Sequence, residues 1–444
     1  MERNTGAVSA APKPLLSVSD GVILMCGMVI GAGIFKAPSI VAGNTSSAAW
    51  FLGAWVLGGL VSLCGALVYA ELASRHPDTG GEYAFLSRGW GRGTAFVFAW
   101  SRMTVIQTGA IAAVAYVFGD YASEILRLGE KSSAIYAAIG VIALTALNVA
   151  GTVESKTLQK MMQYLLFAGL LFIGIAGLVS GGEAAKPAAA GAGGAFGLAM
   201  IFVLLTYGGW NEAAYLGGEV QDARRNMLRV LIGGIVVVTA LYLLVNLGYL
   251  MALGLGGMKE SQAVAADVMR VVVGDRGAVV LSLIVCVAAL TTMNAAIFTG
   301  ARTNYALGRD FSMFGRLGHW REAGSTPANA LLVQGVIALV LVAASSAAPD
   351  GFTAMVAYTT PVFWTFFLLT ALTLFVFRRS EGTKPLFSVP LYPVIPILFC
   401  LACVYMLYSS INYVRFAVSF GVPVLAGIVV MAIGIPLYFL AARK

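Results

Sequence analysis

Charge is scarce in this sequence. Of 444 residues, 11% are Asp, Glu, Lys or Arg and 59% are hydrophobic, against about 25% charged residues in a soluble domain. With a mean hydropathy of +0.87, the chain has too little polar surface to clothe itself in water, so lipid is the solvent for most of it. Histidine is scarcer still: His76 and His319 are the only two. No HExxH motif occurs and no aspartates pair inside an apolar run, so no catalytic set for intramembrane hydrolysis is present. A repeated filter sequence is missing, which argues against a channel. There is no P-loop, and Gly31-Ala32-Gly33 lacks the third glycine of a dinucleotide fingerprint, so neither ATP nor any other cofactor is implied. The stretch from Met1 to Ser19 is polar, without the short apolar core and small-residue cleavage site of a signal peptide. All five cysteines (Cys26, Cys64, Cys286, Cys400 and Cys403) lie in apolar runs, where they act as small hydrophobes. Cys400 and Cys403 have CxxC spacing, but no histidine pair accompanies them and neither metal nor redox chemistry is expected.

Long apolar runs are what the chain has in quantity. A spanning helix needs about 20 mostly apolar residues. By that measure twelve segments are predicted, near 18–41, 48–73, 94–119, 133–151, 158–180, 195–219, 227–254, 276–308, 328–347, 352–378, 391–412 and 418–441. The expected fold is therefore an all-α polytopic membrane protein of about 12 transmembrane helices in a single domain over 1–444. Segment 8 is long and ends polar, so it is expected to run past the bilayer, and 187–195 is a short Gly/Ala linker.

The net charge of +8 and pI near 9.2 do not point to nucleic acid, because the basic residues sit in short loops between apolar runs. With the N-terminus inside, about 19 Lys and Arg fall on the cytoplasmic side and about 7 outside. Both termini are expected in the cytoplasm and the chain in the cell inner membrane.

Segments 1 and 6 are conspicuously interrupted by glycine: Met28-Val29-Ile30-Gly31-Ala32-Gly33-Ile34-Phe35 and Thr206-Tyr207-Gly208-Gly209-Trp210-Asn211. They lie five segments apart, so in an odd-numbered repeat they run in opposite directions. Paired interruptions of this kind point to a transporter site. Glycine in a helix costs about 1 kcal/mol relative to alanine, and unwinding frees backbone groups that hydrocarbon cannot satisfy. N–H groups after Gly33, at the positive end of a half-helix, suit a carboxylate. Carbonyls ending the half-helices around Val29 and Thr206 suit an ammonium, and one zwitterion satisfies both. The alternative is that these glycines only let helices pack closely.

The dispersed motifs GAGIF (31–35), YAELASRHPDTGGEYAF (69–85), YGGWN (207–211), GARTNYALGRD (300–310) and KPLFSVPLYPVIPILF (384–399) resemble the amino acid–polyamine–organocation superfamily, nearest to the L-type amino acid exchangers. The resemblance runs over essentially the whole chain. It implies a five-plus-five inverted repeat (segments 1–5 and 6–10, with 11 and 12 added), broken helices 1 and 6, and alternating access. Carried over, Gly31, Ala32 and Gly33 hold the substrate carboxylate through backbone N–H groups. Carbonyls near Val29, Ile30, Leu205 and Gly208 hold the amino group beside Gly209, Asn211 lines the pocket, and Trp210 packs behind it. Two departures stand out: Leu205 occupies an aromatic gate position, and Phe167 sits where sodium-independent members carry a lysine. The missing lysine makes Thr292 and Thr299 candidate cation ligands.

Further lining is expected from Gln107, Asn294 and Tyr358, none of them ionised, so a neutral amino acid is the expected substrate. A cationic amino acid or polyamine on the same fold is the alternative, although a polyamine has no carboxylate for Gly31–Gly33. Charges within apolar segments count as functional candidates. Lys36 either tunes an outer vestibule or snorkels outward, Glu212 lines the inner pathway or bonds structurally to segment 1, and Arg102 is expected in a structural ion pair. L-type relatives in animals join a heavy subunit through a cysteine between helices 3 and 4. The loop 120–133 has none, so no disulfide-linked subunit is expected. The expected partners are thus a small amino acid and the lipid bilayer.

Overall fold

A computed structural model describes residues 16–76, 81–151, 156–180, 196–213, 220–322, 326–380, 385–416 and 418–442. Among the described residues every regular element is helical; the only strand-like pairings are isolated bridges, Leu16 with Val220 and Arg321 with Thr326. The helices are α1 Val18–Val29, α2 Ala37–Gly43, α3 Ala48–Arg75, α4 Glu82–Trp90, α5 Arg92–Ser101 and α6 Gln107–Ile125. Next come α7 Ser132–Ala150, α8 Lys156–Val179, α9 Phe196–Thr206, α10 Trp210–Ala213, α11 Ala223–Glu260 and α12 Val264–Val273. The last are α13 Asp275–Asp310, α14 Ala328–Ser345, α15 Gly351–Ser380, α16 Val394–Phe416 and α17 Val418–Ala441.

Nine helices among the described residues are long and apolar enough to cross a bilayer, with α5 and α6 counted as one run, Arg92–Ile125. Three apolar helices are shorter: Val18–Val29, Gln163–Val179 and Phe196–Thr206. Two of these are α1 and α9, short because segments 1 and 6 are interrupted midway. The α13 helix has 36 residues, or about 54 Å at 1.5 Å per residue, longer than a hydrocarbon core of about 30 Å. That length matches the expected overrun of segment 8. The linker 187–195 and the end of segment 6 lie outside the described residues.

Local chemistry sets several boundaries. The α1 helix starts in a capping box: Asp20 N–H donates to Ser17 Oγ at 3.2 Å and Ser17 N–H to the Asp20 carboxylate at 3.0 Å, satisfying end donors from both sides. The α7 helix stops at Gly151 in the left-handed region, a common helix C-terminus. Segment 7, expected to end near 254, continues through a kink at Gly254 to Glu260. The helices α4 and α12 were not expected, since a ruler tuned to twenty apolar residues passes over short amphipathic helices. Arg270 of α12 pairs with Glu124 of α6 at 2.6 Å and with Asp275 at 3.2 Å, fastening α12 to its neighbours.

The core wraps the interrupted helices. The α11 helix packs on α1, α3 and α8, and α6 on α7, α13 and α15. Small residues allow the close approaches lipid-embedded helices rely on: a Cβ on Gly177 of α8 would lie 2.4 Å from the Gly248 carbonyl oxygen of α11. Two of the dispersed motifs meet at Glu71, which is fully buried. Its carboxylate accepts from Arg75 Nε at 2.9 Å, Arg378 Nε at 2.8 Å and the Val389 N–H at 2.7 Å. This joins the ends of α3 and α15 to the stretch before α16 and accounts for YAELASR and KPLFSVP occurring together.

Candidate functional site

Both expected breaks are present. The α1 helix ends at Val29, Ile30 (φ −79°, ψ 106°) and Gly31 (φ −132°, ψ −160°) are extended, and Ala32–Phe35 form a 3₁₀ turn before α2. The α9 helix ends at Thr206, and Tyr207–Gly209 turn into α10 with Gly209 at φ +107°. A Cβ on Gly209 would lie 2.3 Å from the Met28 carbonyl oxygen and 3.3 Å from Val29 Cα, and one on Gly33 would lie 3.3 Å from Thr206 Cα. The two breaks therefore touch backbone to backbone. The Tyr242 hydroxyl of α11 lies 3.0 Å from the Thr206 carbonyl oxygen and 3.3 Å from that of Val29. Gly208 N–H donates to the Leu205 carbonyl at 3.0 Å.

A cavity of about 370 Å³ borders the second break, within the size range of small-molecule sites. Leu205, Gly208, Gly209, Trp210, Asn211 and Glu212 line it from one side, and Gln107, Thr292 and Thr299 from others. Leu205 is 42% exposed there, so it forms an apolar wall. Trp210 is buried behind Asn211 against Tyr69, Phe367 and Phe399, with ring centroids 5.3, 5.5 and 5.7 Å away. Gln107 Nε2 donates to the Ala296 carbonyl at 2.8 Å.

Other expected residues lie elsewhere. Val29, Ile30 and Ala32 are buried and Gly31 and Gly33 half-buried, and none of the five is in the cavity lining. Gly31 comes nearest, facing the cavity residue Thr292, whose Oγ1 would be 3.7 Å from an added Cβ. Asn294 is buried and accepts from Asn148 Nδ2 at 2.5 Å. Tyr358 donates to the Thr104 carbonyl at 3.0 Å, tying α15 to the π-helical turn Arg102–Ile106. The hydroxyls of Thr292 and Thr299 donate to Ala288 and Ala295 of their own helix, at 3.0 and 2.9 Å, the usual habit of helical threonine. No cluster of three metal-ligating side chains occurs among the described residues.

Lys36 does not snorkel. It is 2% exposed, with Nζ 2.7 Å from Asp120 of α6 and 2.9 Å from Asp350, and it also donates to Gln262 O and Oε1 at 3.2 and 3.3 Å. An ammonium this deep keeps its charge only among such partners. They come from distant parts of the chain, and sequence spacing carries no sign of them.

Arg102 is in the ion pair expected of it, and its partner is a residue the sequence reading passed over. Glu82, the first residue of α4, accepts from Arg102 Nη1 at 3.1 Å and from the Tyr69 hydroxyl at 3.2 Å. Both Glu82 and Arg102 line the cavity. Within GGEYAF the glutamate reads as a loop charge, and only the fold turns it inward.

The family model described as Amino acid permease matches residues 16–434. The serine/threonine exchanger SteT of Bacillus subtilis (strain 168) is 26% identical over 424 residues, covering 94% of this chain and 94% of that protein. The b(0,+)-type amino acid transporter 1 of Mus musculus is 29% identical over 410 residues, covering 88% and 81%. The large neutral amino acids transporter small subunit 2 of Mus musculus is 26% identical over 462 residues, covering 99% and 83%.

Proposed function

Since this chain belongs to the amino acid permease family, and is a multi-pass membrane transporter rather than an enzyme, we propose that it carries neutral L-amino acids across the cytoplasmic membrane by alternating access, exchanging one for another. The observation that carries this reading is the contact of Gly209 with Met28 and Val29, which puts two interrupted helices together beside a cavity of amino acid size. In this reading the N–H groups of Gly31–Gly33 take the carboxylate. Carbonyls of Val29, Ile30, Leu205 and Gly208 take the ammonium, and Asn211 and Leu205 face the side chain. The proposed arrangement is twelve helices, with segments 1–5 and 6–10 as inverted repeats and both termini in the cytoplasm. Supporting it, each of the twelve apolar segments contains helix, and segments 1 and 6 are both broken. Exchange is taken from the likeness to a protein named an exchanger.

The cationic reading has one observation in its favour, the exposed Glu212 in the cavity wall. One relative is named a small subunit. For this chain, what supports the absence of a disulfide-linked subunit is the lack of cysteine across 120–133, where helices 3 and 4 are joined. Proteoliposomes loaded with a panel of unlabelled amino acids test the function. Labelled neutral amino acid should enter faster when a neutral amino acid is inside, and no acceleration by any panel member would overturn the reading.

A further inference from the structure

The cavity wall holds two carboxylates, Glu82 of α4 and Glu212 of α10, and a single guanidinium, that of Arg102. Fully ionised, the three carry one net negative charge. Glu82 is 8% exposed whereas Glu212 is open to the cavity, so the unfavourable burial falls on Glu82. A buried carboxylate in excess of its counter-charge takes up a proton rather than remain ionised. Arg102 is not fully engaged: its Nε is buried and has no hydrogen-bond partner among the described residues.

We propose that Glu82 is a proton-binding site of the transport cycle, and that proton occupancy there couples net amino acid uptake to the proton gradient. This rests on the transporter reading and adds a driving ion to it, since exchange alone moves no net amino acid. The step is an acid–base one. Glu82 carboxylate takes one proton to become a neutral acid, its charge-assisted bond from Arg102 weakens, and the guanidinium turns to Glu212. Glu212 belongs to α10, the second half of a broken helix, so proton occupancy acts on the element that borders the substrate. Loss of the proton to water returns Arg102 to Glu82.

The titratable groups facing Glu82 are Tyr69 from α3, Arg102 from the π-helical turn and Glu212 from α10. The α15 helix, packed on α4, presents Phe363, Trp364, Phe366 and Phe367 to the cavity and adds no ionisable side chain there. Burial pushes the Glu82 carboxyl above the usual carboxylate range and Glu212 adds to this, against the pull of Arg102 and Tyr69. A proton held above the ordinary carboxylate range is available nearer to neutral pH.

The test uses proteoliposomes of the full chain containing the pH dye pyranine, with L-leucine and L-serine as probes. Added outside to empty vesicles, either probe should acidify the interior. An inward gradient of one pH unit should hold about a tenfold accumulation at one proton per substrate. Glu82→Gln should lose both the dye signal and the gradient response, and whatever counterflow it retains should no longer vary with pH between about 5 and 8, whereas loss of a merely structural pair would lower counterflow without removing its pH dependence. Glu82→Asp, which can still titrate, should regain the dye signal. An unchanged dye signal in Glu82→Gln overturns the proposal. So does a wild type with brisk counterflow and no dye signal, and that result leaves the transporter reading standing. Absence of counterflow for the whole amino acid panel would instead overturn the transporter reading, and this proposal with it.

Discussion

The Tyr242 hydroxyl lies 3.0 Å from the carbonyl oxygen of Thr206, where α9 stops. The Val29 carbonyl that ends α1 is 3.3 Å from the same hydroxyl. A hydroxyl has one proton to donate, so two helix ends share a donor that can fully serve only one. Hydrocarbon offers them nothing else. These are also carbonyl positions suited to a substrate ammonium.

Tyr242→Phe should therefore lower the thermal midpoint of the detergent-purified protein, since an orphaned buried acceptor costs about 1–3 kcal/mol. Saturating neutral amino acid should raise the midpoint of Tyr242→Phe by more than it raises that of the wild type, because the ammonium then supplies the missing donor. Equal ligand-induced shifts in the two proteins would place the ammonium elsewhere.

The glycines at the breaks should respond unequally. Gly209 has φ +107°, and a Cβ there would lie 2.3 Å from the Met28 carbonyl oxygen. Gly31 has only Thr292 near it, at 3.7 and 3.8 Å, ordinary contact. Gly209→Ala should give little monodisperse protein in size-exclusion chromatography, through strain and backbone collision together. Gly31→Ala should fold normally and Gly33→Leu should lose transport, its side chain driven against Thr206. Good recovery of Gly209→Ala would show that the two helices are not in contact there.

These contrasts bear on what a sequence can disclose. The apolar segments were legible because lipid demands continuous runs, and the breaks because Gly31, Gly33, Gly208 and Gly209 stand out within them. The partners of Lys36 were not, since Asp120 and Asp350 lie far from it and from each other along the chain. Glu82 looked like a loop charge, and Tyr242 like one aromatic among many on a spanning helix. Asn294 and Tyr358 were expected in the pocket because they lie on segments expected to line it, but their polar atoms are engaged with Asn148 and Thr104. Periodicity says which face is polar, not which neighbour meets it.

Lys36 ties the turn after α1 to α6, to the residue before α15 and to Gln262. Lys36→Met should leave Asp120 and Asp350 buried and unanswered, a loss of about 3–5 kcal/mol concentrated on the side away from the N-terminus. In a background without native cysteines, Thr292→Cys should then react faster with an impermeant thiol reagent added outside. Adding Asp120→Asn and Asp350→Asn should slow labelling again. Identical labelling with and without Lys36 would show that the cluster does not hold that side closed.

The proposed substrate class turns on how little of the cavity wall is charged. A cationic side chain needs an acidic partner, because an unpaired buried charge costs several kcal/mol. Glu82 is already answered by Arg102 at 3.1 Å, which leaves Glu212 as the acid open to the cavity, two residues beyond the buried Trp210. Asn211, Gln107, Thr292 and Thr299 are uncharged, and Leu205 and the aromatic rings of α15 make the remaining wall apolar. A neutral side chain loses little by entering such a space, and Leu205 in place of an aromatic leaves room for a fairly large one. Unlabelled neutral amino acids should therefore outcompete arginine and lysine in uptake of labelled leucine, by about tenfold for a difference of 1.4 kcal/mol. Arginine prevailing in that competition, with the preference lost in Glu212→Gln, would assign Glu212 to the substrate and the cationic reading to the protein.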